Sequence, residues 1–375
     1  MKVVHIIETL KSGGKERQLL ELVRGMVLAG HDPHVIVQSD AIEYDVADIA
    51  ARIHPMPRRS RRDIGLIGRM RRRVADLAPD VIHSWGTMCS VYAVPVSRFG
   101  RIAFVAGHIR DAPSHLPWHD KRLWHGRIAE PFAAAIVANS RAGLAAYGVA
   151  GPRAHVIYNG FDFAGRVAEP DAALRADLGI TTPHAVAMVA RFGSHKDHDT
   201  YFAAAEQVLR TRKDVTFLAI GDGPGLDQWR QRLAGNPRLI LPGRRGDVER
   251  IVANITIGVL VTRVGDHGEG ISNALTEILA AGKPVIATDD GGNRELVGDH
   301  GCGVLVPPAD PAALADAIGH MLDSPAKAMQ MGTTGRHIVA TQFSRQAMVD
   351  RYLALYDQIS RQHGSAVRET HRRSV

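Results

Sequence analysis

The sequence predicts an α/β protein made of two doubly wound domains. Short apolar runs rich in β-branched residues alternate with longer amphipathic stretches along the whole chain. This alternation is typical of parallel sheets covered by helices on both faces. The series begins again after residue 162, and 375 residues are enough for two hydrophobic cores. We therefore expect two Rossmann-like domains that face each other across a cleft.

Six strands are predicted in each half of the chain. In the first half they cover residues 3–7, 35–38, 81–83, 102–105, 136–138 and 155–158. In the second half they cover residues 185–189, 215–220, 239–241, 257–261, 285–287 and 304–306. A helix is predicted over residues 16–29, because Gly30 follows it as a C-terminal cap.

The domain boundary is predicted at residues 163–169, which are small or polar and precede Pro170. The first domain then covers residues 1–163 and the second covers residues 164–342. Residues 343–362 are expected to form a closing helix, and residues 363–375 a flexible tail.

The net charge of +7 is unevenly distributed, because residues 58–73 contain two arginine-rich runs. Apolar residues at near-helical spacing from Ile64 to Leu77 predict a basic amphipathic helix here. Three interpretations are open: a solvated helix, a contact with an anionic membrane surface, and phosphate binding. No aromatic platform or known nucleic-acid motif accompanies the charge, so we expect no nucleic-acid partner.

Two cysteines, Cys89 and Cys302, lie in apolar contexts, which predicts reduced buried thiols and favours a cytoplasmic protein. The first apolar run is too short for a signal peptide, and no segment reaches the roughly 18 apolar residues of a membrane span. If the chain reaches a membrane, we expect it on the inner face as a peripheral protein.

A polar loop and a following helix in the second half predict an anion site. The free N–H groups at the start of this helix suit a diphosphate. Glu269 precedes that start, and Glu277 lies about two turns further on. The two carboxylates suit the hydroxyl groups of a sugar and a ribose. The donors of its first turn are the N–H groups of residues 271–274.

Two further loops follow predicted strands. Arg191 and Lys196 are spaced so that both side chains could face one anion, although a solvated loop explains them equally well. Gly13 and Gly14 come between the first strand and the first helix, where glycines permit close approach of a phosphate or simply form a turn.

Together these residues resemble glycosyltransferase family 4, whose members are retaining enzymes of the GT-B fold. Residues 269–277 reproduce its E-x7-E pattern with Glu269 and Glu277. The resemblance extends over nearly the whole chain. Further matches are Gly13-Gly14, Asn139-Ser140, residues 159–162, Arg191 with Lys196, residues 221–224, Gly243-Arg244, residues 247–248 and residues 278–295.

The resemblance implies an activity and roles for the site residues. A hexose or N-acetylhexosamine would pass from a nucleotide sugar, bound by the second domain, to a glycan or lipid-linked acceptor on the first. Cell-envelope polysaccharide or glycolipid synthesis is the expected setting. Arg191 and Lys196 would bind the diphosphate, Glu277 the ribose, and Glu269 the sugar, with no metal required. The backbone of Gly270, Ile271, Ser272 and Asn273 would contact the sugar and the phosphate. Gly243 and Arg244 would shape the nucleotide pocket, while the choice among UDP, GDP and ADP stays open.

One position departs from the family pattern. Many members carry a histidine after the fourth strand of the first domain, and it contacts the donor sugar. Here the corresponding loop contains His108 and Arg110, either of which can take that catalytic place. By its distance from the strand, Arg110 is the better match.

Rival functions differ in their chemistry. A dehydrogenase is disfavoured because residues 221–225 do not have the G-x-G-x-x-G spacing. The histidine pairs His195–His198 and His115–His119 lack a third convergent metal ligand. A nucleotide-sugar 2-epimerase of the same fold and a non-catalytic donor-binding subunit remain alternatives.

Overall fold

The computed structural model describes residues 1–11, 13–60, 63–163, 168–265 and 268–373, with side chains to residue 363. Arg61 and Arg62 of the basic run, residues 164–167 of the expected linker, and Asp266 and His267 of the loop before Glu269 lie outside the described residues.

The first sheet has seven parallel strands in the order β3-β2-β1-β4-β5-β6-β7. The strands are β1 Lys2–Ile7, β2 Asp32–Val37, β3 Ile53–Pro55, β4 Val81–Ser84, β5 Ala103–Ile109, β6 Ala135–Ala138 and β7 Ala154–Val156. The helices around it are α1 Gly14–Leu28, α2 Gly65–Leu77, α3 Thr87–Gly100, α4 Lys121–Ala129 and α5 Arg141–Ala146. Short 3₁₀ turns occupy Ala47–Arg52 and Glu130–Phe132.

The second sheet has six parallel strands in the order β10-β9-β8-β11-β12-β13. The strands are β8 His184–Val189, β9 Val215–Ile220, β10 Leu239–Gly243, β11 Ile257–Leu260, β12 Val285–Thr288 and β13 Gly303–Val306. The helices are α6 Ala172–Asp177, α7 His198–Thr211, α8 Leu226–Arg232, α9 Val248–Ala253, α10 Asn273–Ala280, α11 Pro311–Asp323 and α12 Pro325–Gln342. A π-turn covers Arg294–Gly298, and α13, Arg345–Arg373, ends the described chain.

The chain separates into two compact units. The first contains Met1–Arg110, Leu116–Asp162 and Ser344–Val375, and the second contains Asp111–His115 and Phe163–Phe343. A five-residue segment after β5 is thus part of the second unit, which the sequence pattern did not predict. It interrupts the continuous first domain of residues 1–163 that we expected.

The predicted α/β class is confirmed, and all twelve predicted strands are present within a few residues of their expected bounds. Strand β3 was missed because it is only three residues long and ends in Pro55. A proline is tolerated there because β3 is an edge strand with no ladder on its outer side.

Two helices differ from their predictions. Helix α2 buries Leu66, Met70 and Val74 in the core, whereas Ile64, expected on the apolar face, is exposed. Helix α13 continues through most of the expected flexible tail. No proline occurs there, and the single Gly364 costs only about 1 kcal/mol of helix stability.

Three buried histidines have pKa values below the usual range. Burial lowers the pKa of His5 to about 3 and of His198 to about 4, and holds that of His83 well below its usual value. Trp85 Nε1 donates to His5 Nδ1 at 3.1 Å. Since the indole nitrogen is only a donor, His5 Nδ1 must be unprotonated and the ring neutral.

This burial makes stability depend on pH. Between about pH 6.5 and pH 4 the unfolded chain binds protons at these histidines that the folded chain does not, so stability falls as pH falls. We expect a loss of up to about 1.4 kcal/mol per pH unit per histidine, levelling off below the folded pKa values. Urea denaturation at pH 7 and pH 5 measures this loss in the free energy of unfolding. His5→Gln should flatten the dependence, and an unchanged slope in that variant would contradict the assignment.

Candidate active site

The order of strands in the second sheet reverses between β8 and β11. Strands β9 and β10 follow on one side of β8, whereas β12 and β13 follow on the opposite side, beyond β11. In open α/β sheets, ligands bind at the carboxyl ends of the strands next to such a reversal. The loop after β8 carries Arg191 and Lys196, and the loop after β11 leads to Glu269. The structure therefore brings two of the predicted loops to one point.

The loop after β8 rests on a glycine turn and an aromatic stack. Gly221 has a φ of +154°, and a Cβ there would overlap the carbonyl oxygen of Ala190. Phe192 N donates to Asp222 O at 2.7 Å, and the Phe192 ring stacks on His198 at 4.2 Å between centroids. These contacts fix the backbone that presents Arg191 and Lys196.

Glu269 lies in an extended segment before α10. It pairs with Asp111 in an antiparallel bridge, and its carbonyl accepts from Gly292 N at 2.8 Å. A Cβ on Gly292 would overlap the carbonyl oxygen of Gly270, so these two loops need glycine to pack this closely. The segment Asp111–His115 thus fixes the backbone at Glu269 from one side.

Helix α10 begins as the sequence predicts. Ser272 is its N-cap and accepts from Leu275 N at 3.4 Å, while Asn273 is the first helical residue. Ile271, just before the cap, is buried. Glu277 is half-buried in the second turn, and Gly282 ends the helix with a φ of +72°.

The ammonium of Lys196 forms an ion pair with the carboxylate of Glu269. Lys196 also forms a β-bridge with Thr262 through its backbone, which fixes both ends of the residue. About a fifth of each charged side chain is exposed, so the pair stays accessible. Arg191 is exposed and has no ion-pair partner among the described residues.

Gly243 and Arg244 lie beside the Gly221 turn. Gly243 ends β10 with a φ of +80°, and its carbonyl accepts from Gly221 N at 3.0 Å. Arg244 is exposed and lies 3.9 Å from Asp222. These two predicted residues therefore border the loop of Arg191.

The polar contacts around Thr288 were not predicted from the sequence. Its hydroxyl accepts from Thr262 N at 2.9 Å, and its carbonyl accepts from Asp290 N at 2.8 Å and Asn293 Nδ2 at 3.0 Å. Burial raises the pKa of Asp290, with a smaller contribution from the nearby charge of Glu269. The only sequence signal was the Gly-Gly-Asn run, which does not indicate the role of Thr288.

In the first unit, the predicted glycine pair is surrounded by charged side chains. Gly13 is the N-cap of α1, and Gly14 is its first residue. Lys15 donates to Glu8 at 2.7 Å and lies 3.8 Å from Glu16. A Cβ on Gly13 would overlap the Glu16 carboxylate, so this helix start already faces negative charge.

His108 and Arg110 have different environments. The His108 side chain is fully buried and lies 3.3 Å from Glu130. Arg110 is half-buried, its guanidinium 4.1 Å from the Trp85 ring centroid, and its Nη2 donates to the Tyr352 hydroxyl at 3.2 Å. Arg110 also immediately precedes Asp111, the residue that pairs with Glu269.

Two family models match the chain, one in each half. The model described as glycosyltransferase family 4 matches residues 12–164, and that described as glycosyl transferases group 1 matches residues 183–324. The chain belongs to glycosyltransferase family 4. The predicted resemblance is confirmed.

Individual relatives agree with this family 4 assignment. The alpha-D-kanosaminyltransferase of Streptomyces kanamyceticus is 27% identical over 191 residues, 50% of this chain and 49% of the relative. The chain thus spans about half the length of that relative. The lipopolysaccharide core biosynthesis glycosyltransferase LpsD of Rhizobium meliloti is 25% identical over 363 residues, 95% of this chain and 98% of the relative.

The crystal structure of Anabaena HepE in complex with UDP is similar to this family 4 chain with a TM-score of 0.84. It is 22% identical and covers 96% of this chain and 100% of the other. This likeness confirms the GT-B fold. None of the described helices combines the length and the hydrophobicity that a membrane span requires.

The close packing of the loops predicts a sharp difference between two glycines of this family 4 chain. Gly221→Ala should lower the free energy of unfolding by about 1–3 kcal/mol, because the new methyl group overlaps the Ala190 carbonyl. Gly193→Ala is the matched control, since a Cβ there meets no atom within 4 Å. Its effect should stay within about 0.5 kcal/mol. Equal effects in urea denaturation would contradict this account of the loop.

Proposed function

We propose that the protein is a retaining glycosyltransferase. It moves a hexose or N-acetylhexosamine from a nucleotide sugar to a hydroxyl group of a glycan or lipid-linked acceptor, in cell-envelope polysaccharide or glycolipid synthesis. The observation that carries the proposal is the Lys196–Glu269 pair at the strand reversal of the second sheet, directly before the N-terminus of α10. The names of the relatives support it, because they include sugar transferases.

In the proposed reaction, the bond between the anomeric carbon and the diphosphate breaks. A bond to the acceptor oxygen forms on the same face of the sugar, so the configuration is retained, and the proton of the acceptor hydroxyl passes to the departing diphosphate. Arg191 and Lys196 stabilise the negative charge that develops on the leaving diphosphate, together with the N–H groups at Gly270, Ile271, Ser272 and Asn273. An ammonium has three N–H donors, so Lys196 can bind phosphate while it holds Glu269 beside the sugar.

The remaining predicted residues are proposed to bind the nucleotide. Glu277 on α10 accepts from the ribose hydroxyls, and Gly243 with Arg244 shapes the base pocket. Positive charge from the protein takes the place of a divalent cation in this proposal, and turnover is therefore expected to persist in EDTA.

Lys196→Ala tests the donor site. The variant loses the charge that stabilises the leaving group, so kcat/KM for the donor should fall by about 10²- to 10³-fold. Glu277→Gln should mainly raise KM for the donor. Lys213→Ala removes another exposed lysine of the second unit and should leave turnover unchanged. Donor turnover near wild type in Lys196→Ala would refute the assignment, and product formed without acceptor would favour the 2-epimerase alternative.

Arg110 is the proposed contact to the donor sugar from the loop after β5, and His108 is a core residue. Arg110→Lys keeps the charge but loses the planar fork, so kcat should fall by about tenfold or more. His108→Gln should lower the free energy of unfolding with little change in kcat per folded molecule. A large fall in kcat for His108→Gln, with little change for Arg110→Lys, would assign the sugar contact to His108.

The acceptor is assigned to the first unit, at the carboxyl ends of β1 and β4, where the order of that sheet reverses. An anionic membrane surface is the proposed partner, and the exposed arginines of residues 58–73 support it. Of the described ones, Arg58, Arg59, Arg71, Arg72 and Arg73 are exposed. Co-sedimentation with anionic vesicles tests this contact.

A further inference from the structure

A continuous row of exposed side chains crosses three neighbouring helices of the first unit. Helix α3 packs against both α2 and α4. The Arg71 guanidinium lies 4.1 Å from the Phe99 ring centroid, and that of Arg98 lies 5.9 Å from the Phe132 ring centroid. These two contacts join the surfaces of the helices. We call the set of side chains the interfacial row: Arg71, Phe99, Arg98, Phe132, Ile128 and Trp124.

The row exposes an unusual amount of apolar surface. Phe99 is 64% exposed, and Trp124, Ile128 and Phe132 are each close to half exposed. The last three are spaced four residues apart, so they lie on one side of α4 and its 3₁₀ extension. A contiguous patch of this kind marks a contact surface with a protein or a membrane.

The charge around the row is positive. Arg72, Arg73, Lys121 and Arg127 are exposed and have no carboxylate partner among the described residues. Nearby acidic groups include Asp120, which is paired with Arg122 at 2.8 Å, Glu130, which lies 3.3 Å from His108, and Asp76, which is exposed on α2. A groove of about 740 Å³ runs between α2 and α3 beside the row, and its lining includes Arg71, Arg72, Phe99 and Arg101.

We propose that the interfacial row lies in the headgroup region of an anionic lipid bilayer. Exposed tryptophan and phenylalanine flanked by arginine and lysine are typical of elements that rest on a membrane. The apolar face of α2 cannot insert, because Leu66, Met70 and Val74 are in the core. Helix α2 therefore contributes charge, while insertion comes from Phe99 and the exposed side of α4.

A second copy of this chain is a poorer occupant of the row. A symmetric dimer places the same patch on both sides of its interface, so these unpaired arginines and lysines would face one another. Phospholipid headgroups supply the opposite charge. The inference deepens the proposed function, because it names the surface that brings the enzyme to a lipid-linked acceptor.

The experiment uses the full chain and sedimentation with vesicles of phosphatidylcholine, with and without phosphatidylglycerol. Wild type should bind the anionic vesicles, and binding should weaken as salt rises. Phe99→Ser with Trp124→Ser should lower the partition coefficient at least tenfold. Leu28→Ser with Met329→Ser removes two apolar side chains elsewhere that are even more exposed, and it should leave the partition coefficient unchanged.

Equal binding by the two double variants, or binding that ignores anionic lipid, would overturn the inference. So would a concentration-dependent dimer in gel filtration that Phe99→Ser with Trp124→Ser abolishes. Binding of nucleoside diphosphate is measured in parallel and should be unchanged in every variant. Its absence from wild type would refute the proposed function while leaving the vesicle result intact.

Discussion

The candidate site depends on backbone packed directly against backbone at the carboxyl ends of the second sheet. The turn at Gly221 lies on the carbonyl of Ala190, and Gly292 lies on that of Gly270. Side chains at either position would separate the loops that follow β8, β11 and β12. Because the loops touch, Lys196 and Glu269 meet although they are 73 residues apart in the sequence. The glycines thus determine how closely the loops of the site pack, and the charged side chains determine which groups the site can bind.

In the proposed donor site, the ion pair explains how a carboxylate can lie beside a diphosphate. Glu269 alone would repel an anion at the start of α10, whereas Lys196 compensates its charge and keeps spare N–H donors. Arg191 is exposed and has no carboxylate partner in the part of the chain that the structure describes, so it adds positive charge there. The N-terminus of α10 contributes oriented N–H groups that do not have to reorganise when charge develops. Together these groups favour a negatively charged leaving group.

Much of this arrangement could be predicted from the sequence. The alternation of apolar strand-like runs with amphipathic helical stretches predicted two doubly wound domains. The E-x7-E pattern located Glu269 and Glu277 on either side of a helix start. The pairing of the extended residue Glu269 with Asp111 was not predicted. Pairing between segments 158 residues apart leaves no local signal, so the membership of Asp111–His115 in the second unit could not be anticipated.

The buried polar contacts were unpredictable for a similar reason. The local sequence does not distinguish Thr262, Thr288 and Asn293 from other polar residues near strand ends. Their hydrogen bonds form only when the fold brings them together. The role of α2 was only partly visible, because helical spacing identified the helix but placed Ile64 on the wrong face. Core packing selects Leu66 instead, and this turns the arginines outward. The exposure of Phe99 and Trp124 depends on how α2, α3 and α4 pack, which sequence periods do not specify.

The second sheet is proposed to hold a nucleoside diphosphate at its strand reversal. Isothermal titration calorimetry of the wild-type chain with UDP, GDP and ADP tests it most directly. At least one of them should bind at a single saturable site, and that binding should be lost when Lys196 and Arg191 are both replaced by alanine. Absence of binding by all three, or equal affinity in the double variant, would contradict the account.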